Sequence, residues 1–192
     1  MFNYKFIFSL LFAVVILGGC GDKYEGDFSY EVQDFTFTNQ AGEKISKEDL
    51  KGEFWVADFI FTNCTTVCPP MTANMAKLQD QLKEAGLEEE VKLVSFSVDP
   101  KNDDHETLKS YVKARGGSLE NWHLFTGYEF DTIKEFSIKS FKSAVEKVAD
   151  SDQVMHATSF FLVTPEGYAI KRYDGRVQAN MEKIVDDIKA MQ

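Results

Sequence analysis

The chain has 192 residues and a formal charge of −10, a length that holds one domain with a normal core plus a leader. So acidic a surface excludes a nucleic-acid binder, because it would repel the phosphate backbone, and it identifies no partner by itself. No internal repeat or second domain is visible in the sequence.

Met1 to Gly19 carries one charged side chain, Lys5, followed by an apolar run from Phe6 to Leu17. The run is short for a bilayer span and right for the hydrophobic region of a secretory signal. It ends Leu17-Gly18-Gly19-Cys20, which resembles a bacterial lipobox, where small residues precede a cysteine that is lipidated through sulfur and becomes the mature N-terminus. The expectation is a signal peptide over 1–19, a lipid anchor on Cys20, a mobile polar tether through Tyr30, and a domain over 31–192. That places the domain on the extracytoplasmic face of the cell membrane. Removing Lys5 with the leader takes the charge from −10 to −11.

Within the domain, Phe35 to Thr38 followed by Asn39-Gln40-Ala41-Gly42 predicts a short strand and turn, after which Ser46 can cap a single helical turn through Leu50. Phe54 to Phe61 is rich in aromatic and branched residues, as a buried strand should be. Pro69 and Pro70 then suit the first turn of a helix running to Ala85, with Met71, Met75, Leu78 and Leu82 at helical spacing. Val91 to Val98 predicts a second buried strand, stopped by Asp99-Pro100. The spacing of Leu108, Tyr111 and Val112 predicts a helix over 104–115; Trp122 to Thr126 predicts a strand and Glu129 to Ser137 a helix. Ser140 to Gln153 reads as an insertion, either hairpin or helical. Ser159 to Thr164, a Pro165-Glu166-Gly167 turn and Tyr168 to Tyr173 predict a hairpin, and a last amphipathic helix covers about Asn180 to Met191. Strands alternating with helices and closing on an antiparallel hairpin give an α/β class with a mixed central sheet. With a cysteine pair at the strand-to-helix junction, this order resembles the thioredoxin-like fold.

Cys64 and Cys68 lie at that junction, where the positive end of the helix dipole favours thiolates. If Cys20 takes lipid, these two are the remaining sulfur groups. In a helical segment, positions four apart share a face about 6 Å apart along the axis, within reach of either a disulfide or one metal ion. A purely structural disulfide is the weaker reading, because closing so short a loop restricts the unfolded chain little. His156 stands just ahead of the final hairpin, whose first strand should begin where the central strand ends. It is thereby expected beside the two cysteines, making two thiolates and an imidazole that suit Cu(I) and serve Cu(II). His105 is expected in solvent at a helix start and His123 in packing beside Trp122.

Cys64-x-x-x-Cys68-Pro69, then Ser97-Val98-Asp99-Pro100, Leu124-Phe125-Thr126-Gly127, and a lone histidine before Phe161-Leu162-Val163-x-Pro165-x-Gly167 resemble the Sco (SenC) family. The resemblance covers nearly the whole chain after the tether. It implies a membrane-tethered, copper-binding assembly protein, here expected as a monomer, whose partner is the cytochrome c oxidase subunit carrying CuA. It also implies copper ligands at Cys64, Cys68 and His156 and a supporting role for Asp99. Asp99 serves equally well as a turn residue before Pro100.

Three other readings compete. A thiol–disulfide oxidoreductase would use Cys64 and Cys68 as a redox pair that keeps CuA cysteines reduced. The three intervening residues and the lack of a proline between Asp152 and Phe160 depart from thioredoxin itself. A peroxiredoxin-type peroxidase would need a threonine and a proline at set distances before its cysteine, and neither cysteine has both. Structural zinc wants four protein ligands where three converge.

Overall fold

The computed structural model describes residues 24–192. Its centre is a six-stranded sheet. The central strand β4 (Phe54–Ile60) is buried at every position, which follows from its run of aromatic and branched residues. It pairs in parallel with β5 (Val91–Ser97), from Phe54↔Val91 to Ile60↔Ser97, and β5 pairs in parallel with β6 (Trp122–Phe125). On the other side β4 pairs antiparallel with β9 (Ser159–Val163), which forms the C-terminal hairpin with β10 (Tyr168–Asp174). The edge strand β1 (Tyr30–Glu31) completes the order β1-β10-β9-β4-β5-β6. A separate ribbon pairs β2 (Thr36–Thr38) with β3 (Lys44–Ser46). The expected thioredoxin-like arrangement is the one observed.

Helix α1 (Cys68–Glu84) packs on the C-terminal helix α4 (Ala179–Met191) and on α2 (His105–Lys113). The opposite face of the sheet carries α3 (Phe130–Phe141), whose Phe136 and Phe141 join Phe35, Trp55, Phe59, Phe96, Phe125 and Phe161 in an aromatic layer. Local chemistry starts the elements. Asp104 caps α2 by accepting the Thr107 N–H at 2.7 Å, and Ser46 and Asp49 cap each other reciprocally around a single 3-10 turn at Glu48–Leu50.

Two expectations needed correction. The segment from Tyr24 to Tyr30 is no free tether: Tyr24 packs edge-on against Phe54, the Asp27 N–H donates to the Ile170 carbonyl at 2.9 Å, and Tyr30 enters the sheet. Aromatic side chains spaced among the polar ones make docking favourable. The insertion resolves as more helix and then a hairpin: α3 runs to Phe141 because Phe141 is buried against the aromatic layer. β7 (Glu146–Lys147) then pairs with β8 (Val154–Met155). Thr62 to Val67 forms a turn, and the helix starts at Cys68, so the two sulfurs lie just before and at a helix N-terminus as expected. The predicted signal peptide over 1–19 and Cys20 lie outside the described residues, among which no helix is long and apolar enough to cross a membrane.

Candidate functional site

Cys64 sits in the turn after β4, its N–H donating to the Phe61 carbonyl at 3.3 Å, and Cys68 is the first residue of α1. Pro69 and Pro70 follow within the first helical turn, where their missing N–H groups leave nothing unpaired. The Cys68 N–H, one of the free donors of the helix start, points at Cys64 Sγ at 3.4 Å. Both cysteines are buried and unbridged.

The antiparallel pairing of β9 with β4 starts at the end where β4 finishes, so the loop between β8 and β9 returns to the thiols as expected. His156 Nε2 lies 3.2 Å from Cys68 Sγ. His156 Nδ1 lies 2.9 Å from the Ala157 carbonyl, which can only accept, so Nδ1 carries a hydrogen and Nε2 faces sulfur, where it offers a lone pair to an ion or, when it also carries a hydrogen, an N–H to a thiolate. Phe61 braces the ring edge-on at 5.7 Å. The insertion also has a visible role here: Gln153, next to β8, donates to the Asn63 carbonyl in the thiol turn at 3.3 Å.

The two sulfurs are electrostatically unequal. Burial works against ionising Cys64, but hydrogen bonds from His156, from the Cys68 thiol and from the Cys68 and Thr66 N–H groups outweigh it and bring the pKa down to about 5. Burial pushes the Cys68 thiol well above its ordinary range, and the neighbouring Cys64 thiolate adds to that. The shortest imidazole–sulfur contact is to Cys68, yet the charge His156 stabilises is on Cys64, since Cys68 stays a thiol. The three side chains are neighbours, but among the described residues no three His, Cys, Asp or Glu side chains stand close enough to hold an ion as they are. Binding one therefore requires Cys68 to lose its proton and the side chains to draw in.

Asp99 lies at the same edge, just past β5, but serves its turn: its carboxylate accepts from Asn102 Nδ2 at 2.8 Å and its carbonyl from the Asn102 and Asp103 N–H groups at 2.9 Å. The carboxylate that reaches the thiol turn is Asp103. It accepts from the Thr62 N–H at 3.1 Å and the Thr62 hydroxyl at 2.6 Å, and from the Ser97 hydroxyl at 2.6 Å, tying the turn to β5. His123 packs against Phe125 within β6, away from the thiols, and burial lowers its pKa. His105 opens α2 as expected, though its Nε2 is buried and not in solvent.

Sequence reasoning missed Asp103, Gln153 and Asp58. Asp58 left a signal: a carboxylate inside a strand otherwise made of buried apolar residues needs an explanation. Asp103 left none, because its partners lie in two other segments.

The family model described as SCO1/SenC matches residues 25–192. The chain is 47% identical to a SCO1/SenC family lipoprotein from Bacillus anthracis strain Ames, whose crystal structure superposes with a TM-score of 0.80 over 84% of this chain and 95% of that one. It is also 47% identical to BsSco, described as a member of the Sco family of cytochrome c oxidase assembly proteins with a disulfide switch, with a TM-score of 0.79 over 88% of this chain and 97% of that one. Arabidopsis thaliana ScoI, solved with copper bound, is 25% identical and superposes with a TM-score of 0.70 over 82% of this chain and 98% of that one.

Proposed function

The chain belongs to the SCO1/SenC family, and on that premise we propose that it is a copper-binding assembly factor for cytochrome c oxidase, handing copper to the subunit that carries CuA. Copper is its cargo. Cys64 and Cys68 supply two thiolate sulfurs and His156 an imidazole nitrogen, a soft and borderline donor set that suits copper in either oxidation state. The observation that carries this reading is the 3.2 Å approach of His156 Nε2 to Cys68 Sγ with Nδ1 held on the Ala157 carbonyl. Three protein donors leave a position open, through which an incoming thiolate of the partner can take the ion. Asp99 contributes at one remove, by shaping the turn that carries Asp103.

Cys20 carries the lipid after cleavage of residues 1–19, and the protein works as a monomer on the extracytoplasmic face of the cell membrane. The related B. anthracis protein is a lipoprotein, and tethering raises the effective concentration near a membrane-embedded partner.

A second role in thiol–disulfide exchange draws support from the unequal sulfurs. A thiol whose pKa is brought down to about 5 beside one held protonated is the division of labour of an attacking and a resolving cysteine. The roles are compatible, because a disulfide cannot bind copper and the redox state would gate loading.

Titrating the reduced full-length protein with Cu(II), while following thiolate-to-copper absorption, tests the proposal. One-to-one binding with a charge-transfer band that His156→Ala weakens and Cys64→Ser or Cys68→Ser abolishes is expected. Native affinity in either serine variant would overturn it.

A further inference from the structure

The chain enters the domain at one end of the sheet and carries its thiols at the other. Tyr24 packs edge-on against Phe54, the first residue of β4, with ring centroids 5.1 Å apart. Cys64 and Cys68 come after Ile60, the last residue of the same strand. The strand from Phe54 to Ile60 puts about 20 Å between the two ends, and the thiol turn lies beyond it.

From Tyr24 to Val32 the segment is held along its length. The Asp27 and Phe28 N–H groups both donate to the Ile170 carbonyl, at 2.9 and 3.2 Å, where β10 bulges between Ala169 and Lys171. Gly26 lies so close to the same residue that a Cβ there would stand 2.7 Å from Ile170 Cβ. Tyr30 and Glu31 then pair with Ala169 and Tyr168, and Phe28 stacks on Tyr30 at 4.6 Å. Val32 is fully buried, its N–H donating to the Gly167 carbonyl at 3.0 Å and its carbonyl accepting from Lys47 Nζ at 2.6 Å.

This docking decides how far the domain can turn on its anchor. With lipid on Cys20, only Gly21, Asp22 and Lys23 stand between the anchor and Tyr24, a reach of about 14 Å. Were the chain free as far as Val32, the reach would be about 40 Å, the width of a domain of this size. A tether that long passes round the domain; the short one does not. We propose that the docked segment Tyr24–Val32 is an orienting strap, which holds the Phe54 end of the sheet toward the bilayer and presents Cys64, Cys68 and His156 at the far end, about 20 Å or more above the headgroups. The partner this fits is a membrane protein whose copper-receiving site stands clear of the bilayer in an extramembrane domain, and a site sunk among lipid chains is out of reach. The acidic turn Glu88-Glu89-Glu90, just before β5 at the near end, offers anionic headgroups no attraction, so the strap alone sets the orientation. The inference rests on the lipid anchor proposed above and requires no metal.

Full-length lipidated protein in phosphatidylcholine vesicles, with an acceptor dye on the headgroups, provides the test. In a Cys64→Ser, Cys68→Ser background, a single donor dye is attached through Thr65→Cys at the thiol end or Glu89→Cys at the other, both exposed positions. Energy transfer to the bilayer should be at least about threefold stronger from position 89 than from position 65, given the difference in height. Tyr24→Ser combined with Asp27→Pro removes the ring contact and one N–H donor and should bring that ratio toward one, with circular dichroism confirming the fold. An insertion of about twelve Gly and Ser residues between Lys23 and Tyr24, which leaves the domain untouched, should do the same. A ratio of one with the strap intact, or a ratio that neither change lowers, would overturn the orienting role while leaving the anchor in place. Protein that does not float with the vesicles, or an unmodified Cys20 by mass spectrometry, would overturn it together with the anchor.

Discussion

The two faces of the central sheet are built on opposite terms. The face under α3 is a layer of rings, with Phe96 alone in contact with Phe35, Phe37, Phe59, Phe125, Phe136 and Phe141. The face under α1 and α2 accepts a carboxylate, a hydroxyl and an indole N–H in a buried line, Asp58, Ser95 and Trp122, that ends beneath the thiols. Dispersion and apolar burial on the first face make the fold; the second spends part of that stability to hold a polar group near a reactive sulfur.

Changes on each face should therefore behave differently. The largest effect is expected from Phe96→Ala, which opens a cavity in the ring layer and should lower unfolding free energy by about 3–5 kcal/mol in denaturant titrations, with no direct effect on thiol ionisation. A loss below about 1 kcal/mol would show that the aromatic face collapses around the gap and does not carry the fold. Next, Asp103→Ala strands the half-buried Thr62 donors and the buried Ser97 hydroxyl and should cost about 2–3 kcal/mol. Because Thr62 lies two residues before Cys64, copper affinity should fall as well; unchanged affinity would separate the turn's anchor from the site.

Asp58→Asn should have the opposite sign. Below its ordinary value of 3.8, Asp58 is protonated in folded and unfolded chains alike; between 3.8 and about 7 the folded chain holds a proton that the unfolded chain has released. Stability therefore falls as pH rises through that window and is level above it. The amide variant should lose this slope and gain about 1–2 kcal/mol at pH 8, readable as a higher Tm at pH 8 with little change at pH 4. A destabilised variant at pH 8 would mean that the ionised carboxylate holds the fold. The smallest effect belongs to the N-terminal segment. A Cβ at Gly26 would stand 2.7 Å from Ile170 Cβ, so Gly26→Ala should cost about 0.5–1 kcal/mol and speed proteolysis between Tyr24 and Tyr30. Unchanged cleavage would mean that docking tolerates the lost register.

Most of the scaffold and half of the site were legible from local pattern. The apolar run at Phe54–Ile60, the paired prolines after Cys68 and the alternation toward Ser97 each report an element through periodicity or backbone restriction, which act over a few residues. The cysteine spacing and the place of His156 before a hairpin strand were enough to expect their meeting, because strand direction alone decides which end of the sheet a loop visits.

Tertiary structure decided what depends on distant partners. Phe141 extends α3 because four rings from three strands receive it, and Tyr24 docks because Phe54 presents an edge. Between two aspartates four apart, the fold gives Asp99 to a turn and Asp103 to the thiol loop. The same holds for ionisation. Cys64 and Cys68 are chemically identical in the sequence, and only burial, the helix start and His156 make one a thiolate and the other a guarded thiol. Composition and periodicity are local properties of a chain, whereas desolvation and charge coupling are sums over whatever the fold brings near.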